Sequence, residues 1–170
     1  MNLTTGKLDM VMLDYPASDC PSISGQWAAF QDFLAAGKTK SIAVSNFSPE
    51  QLDCIVKNKT GTKTIPAVNQ MSFSVGSGAD TVVADDKARG GVLVQAYSPL
   101  RGGALANDPD CAAIGKTHNK TAAQVAFRWI VQRGATFTSS ASTVEYFQQD
   151  LDIFDFSLTD SEMKQLNSKH

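Results

Sequence analysis

Four apolar runs end in side chains that could do chemistry. Val11-Met12-Leu13 ends in Asp14-Tyr15-Pro16, an acid and a phenol. Ile42-Ala43-Val44 ends in Ser45-Asn46, a hydroxyl and an amide. Ala67-Val68-Asn69 ends in the amide of Gln70, and Val92 to Ala96 ends in Tyr97-Ser98. An amide offers both a donor and an acceptor, and a carboxyl group accepts when ionised and donates only when protonated. An aromatic ring offers a flat stacking face. Each residue also has an ordinary reading. Asn46 suits a turn, because Asn tolerates unusual backbone angles. Gln70 could satisfy buried backbone, Tyr97 could pack, and Asp14 could be a turn acceptor at a strand end.

The remaining polar groups form no recognisable centre. The two histidines are His118, in the polar loop Lys116 to Lys120, and His170, the last residue. Neither is placed for a triad or a metal site. Asp85-Asp86 and Asp108/Asp110 read as solvated helix and turn acids with no metal-ligand pattern. Lys7 precedes the first strand, away from any strand end where chemistry would sit.

Composition narrows the class. The chain has 170 residues. That length suits one domain burying roughly 70% of the surface its unfolded chain exposes. A net charge of −2 without long like-charge runs argues against nucleic-acid or membrane-surface partners recruited by charge. Cys20, Cys54 and Cys111 are widely spaced, odd in number and free of CxxC or zinc spacing, so a reducing, cytoplasmic setting is the simplest expectation. No apolar run is long enough to span a bilayer, and the N-terminus lacks a signal-peptide layout. The N-x-S/T triplets, such as Asn58-Lys59-Thr60, are then chance occurrences.

The elements that must position these residues alternate. Asp9 to Leu13 reads as a buried strand. Gln26 to Ala36 reads as a helix with Trp27, Phe30 and Leu34 on one face, stopped by Gly37. Ser41 to Val44 is a second strand. Ser48-Pro49-Glu50-Gln51 is a capping box with proline at the first helical position, opening a helix to about Val56. Ala67 to Gln70 and Val92 to Ala96 are strands on either side of a helix over Thr81 to Arg89. Helices follow at Pro109 to Thr117 and from Thr121 to near Gly134, the latter turning Val125, Trp129 and Ile130 inward. Ala135 to Thr138 is a weak fifth strand, and Thr143 to Asp150 and Thr159 to Asn167 are the last helices. Strand and helix repeated about five times require parallel strands joined by crossover helices. An open doubly wound sheet and a βα barrel both satisfy that pattern.

Longer runs choose between them. Gly25-Gln26-Trp27, Ala36-Gly37-Lys38, Ile42 to Ser48 (IAVSNFS), Val68-Asn69-Gln70, Gln95 to Leu100 (QAYSPL) and Thr121 to Trp129 (TAAQVAFRW) resemble the aldo-keto reductase family, in family order and spacing. The resemblance implies an α/β fold of TIM type, a (β/α)8 barrel. This chain would supply about five parallel βα units, strands four to eight, as one oxidoreductase domain over residues 1–170. Such barrels place chemistry at the C-terminal ends of their strands. By resemblance, Asn46 and Gln70 hydrogen-bond the carboxamide of a nicotinamide ring, Ser45 belongs to the same cofactor-binding set, and Tyr97 stacks on that ring. Ser98 and the loop from Leu100 to Gly103 approach the pyrophosphate, where small residues permit close backbone contact. Ser140 stands where the family contacts a 2′-phosphate. The implied cofactor is NADP(H), or NAD(H), and the implied substrate is a small carbonyl compound.

The same resemblance shows departures. The family's acid–base set is an Asp, a Tyr, a Lys and a His. The first three belong to βα units preceding this stretch. The His position is Asp14, and an ionised carboxylate cannot donate to a carbonyl and would repel a developing oxyanion. No catalytic residue is therefore assigned. The expected 2′-phosphate Lys is Ser140, the Arg is Tyr146, and the Glu-Asn pair is Gln149-Asp150. Losing both cations weakens a preference for NADPH more than for NADH, because a dianionic phosphate favours Arg or Lys. Five strands leave an eight-stranded barrel open, which implies self-association, or a partner over the exposed edges. A non-catalytic partial barrel serving as a binding or assembly module is the competing expectation.

Overall fold

The computed structural model describes residues 6–57, 64–78 and 81–169. The triplet at Asn58 to Thr60 and the terminal His170 lie outside them. Among the described residues, five parallel strands form one open sheet in the order β1-β2-β3-β4-β5, with seven α-helices between and after them. The Cα packing divides the chain into two compact units. Met1–Met71 with Thr81–Val94 form the first, and Ser72–Asp80 with Gln95–His170 form the second.

The first unit carries β1 (Leu8–Leu13), α1 (Cys20–Ala35), β2 (Thr39–Ser45), α2 (Pro49–Val56), β3 (Val68–Ser72) and α3 (Val82–Ala88). Val11 pairs with Ile42, and Val44 with Asn69. Its core gathers Ile23 and Trp27 of α1, Ile42 and Val44 of β2, and Leu52 and Ile55 of α2. The capping box opening α2 is present: Gln51 Oε1 accepts from the Ser48 backbone N–H at 2.9 Å. Two expectations need correction here. α1 starts six residues before Gln26, because Asp19 caps it by accepting from Ser22 N–H at 2.8 Å and Pro21 fits its first turn. β1 is not buried. It lies at the sheet edge with only β2 beside it, and Met10 is 37% exposed.

The second unit carries β4 (Leu93–Tyr97), cut by the division after Val94, then a 3-10 turn (Ala104–Asn107) and α4 (Pro109–His118). α5 (Ala122–Gln132), β5 (Thr136–Phe137), α6 (Val144–Leu151) and α7 (Asp160–Asn167) complete it. Val125, Trp129 and Ile130 of α5 are buried as their spacing requires. Phe73 packs on Trp129 at 5.1 Å between ring centroids, and Phe127 stacks on Phe137 at 4.4 Å. α6 has no buried residue, and Val144, Phe147 and Leu151 face solvent with Phe154 just beyond the helix. His118 is not a loop residue. It ends α4, and its Nε2 lies 3.0 Å from Glu162 of α7.

Two further expectations fail. Cys20 and Cys54 form a disulfide with Cα atoms 5.2 Å apart, so a reducing setting inferred from unpaired cysteines loses its basis. Helix packing brings together two residues that sequence spacing keeps 34 positions apart. Asp86 is not solvated, since its helix face turns fully inward. Asp108, likewise, caps α4 and pairs with Lys169 at 2.8 Å. Among the described residues, no helix is long and apolar enough to cross a membrane, and no group of three or more His, Cys, Asp or Glu could hold a metal ion.

Candidate functional site

In the first unit, the end of β2 is fixed by a dense set of hydrogen bonds. Asn46 follows the strand with φ 63°, in the left-handed region that non-glycine residues seldom adopt. Its backbone N–H donates to Gln70 O at 2.9 Å, which continues the β2–β3 ladder by one residue. Its Nδ2 donates to Ser45 Oγ at 3.0 Å and to Asp14 O at 3.3 Å. Ser45 Oγ in turn donates to Gln70 O at 3.0 Å. Ser45, Asn46, Gln70 and the backbone of Asp14 thus come together, as their positions at strand ends require. The Asp14 side chain is exposed, as is Tyr15.

Behind these strand ends lies a buried polar pair that sequence reasoning missed. Asn69, on β3 beside Gln70, donates through Nδ2 to Phe47 O at 2.9 Å and to Asp86 Oδ2 at 2.9 Å. Its Oδ1 accepts from Phe47 N–H at 3.3 Å. The residue after Asn46 is therefore clamped on both its backbone groups. Asp86 reaches Asn69 from α3, and its Oδ1 has no hydrogen-bond partner among the described residues. Burial pushes the Asp86 carboxyl up from 3.8 to about 6, against the opposing pull of the Asn69 bond and the Arg89 charge. The available signal was the i, i+4 spacing from the buried Val82.

In the second unit, β4 also ends in left-handed backbone. Ser98 has φ 51° and Arg101 φ 51°, with Gly102 and Gly103 continuing at 65° and 94°. The chain doubles back tightly, and Arg101 N–H donates to Ser98 O at 2.9 Å. Tyr97, half-buried, precedes the turn. The turn borders a depression of about 510 Å³ that Ser98, Leu100, Gly102 and Gly103 line together with Ser139 and Ser140. A second depression of about 710 Å³ shares Leu100, Gly103, Ser139 and Ser140 and adds Tyr146, Gln149 and Asp150. Sequence reasoning missed Asn107 and Ser142, which also line it. Among the described residues, no lysine or arginine lines either depression. Burial raises the Asp150 carboxyl above its ordinary value, opposed by a Ser139 hydrogen bond. Beside Asp150, the hydroxyls of Ser139 and Ser140 suit a neutral, hydroxyl-bearing group better than a phosphate monoester.

The family follows from the whole chain. Residues 1–170 match the model of the aldo/keto reductase family, and this protein belongs to that family. An aldo-keto reductase of Mycolicibacterium vanbaalenii is 34% identical over 160 residues, spanning 94% of this chain and 56% of that protein. Morphine 6-dehydrogenase of Pseudomonas putida is 29% identical, over 94% of this chain and 57% of its own length. The fold agrees. The crystal structure of MGS-M4, an aldo-keto reductase enzyme from a Medee basin deep-sea metagenome library, superimposes with a TM-score of 0.86 at 28% identity. It covers 96% of this chain and 59% of that one. The chain therefore spans little more than half the length of the relatives it matches, and its five-stranded sheet corresponds to part of the family's TIM-type barrel.

Proposed function

We propose that this chain binds a nicotinamide dinucleotide and represents the C-terminal portion of an aldo-keto reductase-like oxidoreductase, whose intact form reduces an aldehyde or ketone with NAD(P)H. The observation that carries this reading is the left-handed backbone directly after β2 and β4, at Asn46 and Ser98. Such conformations cost about 1–3 kcal/mol each and concentrate at ligand sites. In the first unit, Asn46 and Gln70 would present amides to the nicotinamide carboxamide. In the second, Tyr97 would offer its ring face, and Ser98 with the Leu100 to Gly103 turn would take the pyrophosphate. Ser140 would donate a hydroxyl near the adenosine ribose. The absence of Lys and Arg from the lining of the second unit's depressions favours NADH over NADPH. Calorimetric titration of the chain with each dinucleotide tests this. Binding of NADH that is tighter than binding of NADPH supports the reading, and binding of neither overturns it.

A second reading, a partial barrel acting as a non-catalytic binding or assembly module, is favoured by Asp14 at the family's His position. It is also favoured by the exposed apolar residues Val144, Phe147, Leu151 and Phe154. Such a surface fits self-association or a partner rather than an isolated monomer. Light scattering coupled to size exclusion checks this: a well-behaved monomer at all concentrations refutes it.

A further inference from the structure

The Cys20–Cys54 bond lies outside every part of the chain considered as a cofactor or substrate site. It joins the first residue of α1 to the sixth residue of α2, within the first unit. Cys20 is exposed and Cys54 half-buried. Both line a surface depression of about 390 Å³ together with Pro21, Ser24, Asp53 and Lys57. The bond thus borders a depression that a small molecule can enter. The helices they join are also held by other means. Ile23 and Trp27 of α1 pack with Leu52 and Ile55 of α2 in one buried cluster, and Ser24 Oγ donates to Cys54 O at 3.1 Å. Opening the bond leaves those contacts in place.

Cys111 is the built-in contrast. It is fully buried, and burial with the neighbouring Asp108 charge pushes its thiol up to about 12. A thiol that is neither accessible nor ionised does not exchange.

We propose that the Cys20–Cys54 pair is a thiol-exchange site for small-molecule thiols. The thiolate of the small molecule attacks the exposed Cys20 Sγ. A new S–S bond forms to Cys20, the protein bond breaks, and Cys54 leaves as the thiolate. A second small-molecule thiolate attacks the sulfur of the first in this mixed disulfide and releases Cys20 as a thiolate. The protein cystine is reduced by two electrons, and two small thiols are oxidised to their disulfide. Exchange of this kind depends on access to the sulfur under attack. Lys57 and Asp53, which face the same depression, form an ion pair at 2.7 Å, so the approach carries charges of both signs and admits a zwitterionic thiol.

The test uses the intact chain and glutathione as the probe. The oxidised, folded chain is incubated in millimolar reduced glutathione, then alkylated and mapped by mass spectrometry. The expected result is alkylation of Cys20 and Cys54 with Cys111 unmodified, and a near-ultraviolet circular dichroism spectrum that persists. In Cys54→Ser, oxidised glutathione should leave one stable adduct, on Cys20. A bond that survives glutathione in the folded chain and opens only in denaturant would overturn the proposal. So would three free thiols in chain purified without reductant. Adduct confined to Cys54 in the wild type would overturn Cys20 as the attacked sulfur.

Discussion

Replacing Asp86 by Asn should stabilise the protein at neutral pH and leave it almost unchanged once the pH falls below the ordinary aspartate value of 3.8. Asp86 is wholly buried, one of its oxygens accepts from Asn69, and the other has no partner among the described residues. Burial raises its pKa from 3.8 to about 6. The folded state therefore holds the proton more tightly than the unfolded chain does. The stabilisation from that proton is complete below the unfolded value and is lost as the pH rises through the folded value of about 6. At 1.36 kcal/mol per pKa unit, the loss is about 3 kcal/mol by neutral pH. Asn keeps the acceptor for Asn69 and never ionises, so Asp86→Asn avoids that loss. Urea unfolding of both proteins from about pH 4 to about pH 8 gives the difference in stability at each pH. It should rise from under about 1 kcal/mol at about pH 4 to about 3 kcal/mol in favour of the variant, climbing between the unfolded value of 3.8 and the folded value of about 6 and levelling off above it. Comparing the two proteins cancels the surface carboxylates whose pKa values are lowered, such as Asp53, because they are common to both. A difference that stays constant across the range, or that favours the wild type at the alkaline end, would refute the account of Asp86 as a buried, desolvated acid.

Asn46→Gly keeps the left-handed backbone at φ 63° but deletes the amide, so NADH affinity should fall roughly tenfold with little change in unfolding midpoint. An affinity unchanged in titration would remove Asn46 from the cofactor site. Ser140→Lys combined with Tyr146→Arg adds two cations to the depression beside Asp150, and charge-assisted bonds of about 1.5–3 kcal/mol each should tighten NADPH at least tenfold while sparing NADH. Equal gains for both dinucleotides would show that the 2′-position is not there. Gly115→Ala would press a Cβ onto the Lys120 carbonyl, which faces α4 at the turn into α5, and should cost roughly 1–3 kcal/mol in chemical denaturation. In any longer form that carries the family's Asp, Tyr and Lys, Asp14→His should raise carbonyl reduction, and an unchanged rate would show that this position is not where the proton donor belongs.

What was legible in the sequence is what the chain decides locally. The capping boxes at Ser48/Gln51, Thr121/Gln124 and Thr159/Glu162 involve residues three apart, and all three form. The strand ends bearing Asn46, Gln70 and Tyr97 follow from apolar runs that stop abruptly, and the strands do stop there or within two residues. What the sequence hid depends on tertiary neighbours. Asp85 and Asp86 are alike as letters, and only the face of α3 that meets Asn69 separates a buried acid from its more exposed neighbour. β1 reads as buried because parallel strands are apolar on both faces, yet among the described residues no strand pairs with its outer edge. Cys20 and Cys54 become a pair only once α1 and α2 are packed. The depression at Ser139 to Ser142 was reached through family resemblance alone, since a run of small polar residues is by itself only a loop.

Holding a cofactor and reducing a carbonyl place different demands on a protein. Holding requires amides at fixed strand ends, an aromatic face and a turn of small residues. On the proposed reading, Asn46 and Gln70 would supply the amides, Tyr97 the aromatic face and residues 98–103 the turn. Reduction further requires a proton for the alkoxide formed by hydride transfer. A phenol with an ordinary pKa near 10 gives that proton readily near neutrality only when a neighbouring cation lowers its pKa. The residues that resemblance assigns to that task belong to βα units before this stretch, and the one position within it holds Asp14. A carboxylate there would oppose the negative charge that develops on a carbonyl oxygen. If that reading holds, the two demands would separate at Asp14. NADH should bind without being turned over, and supplying an external proton donor such as imidazole should not restore turnover while the Asp14 carboxylate remains.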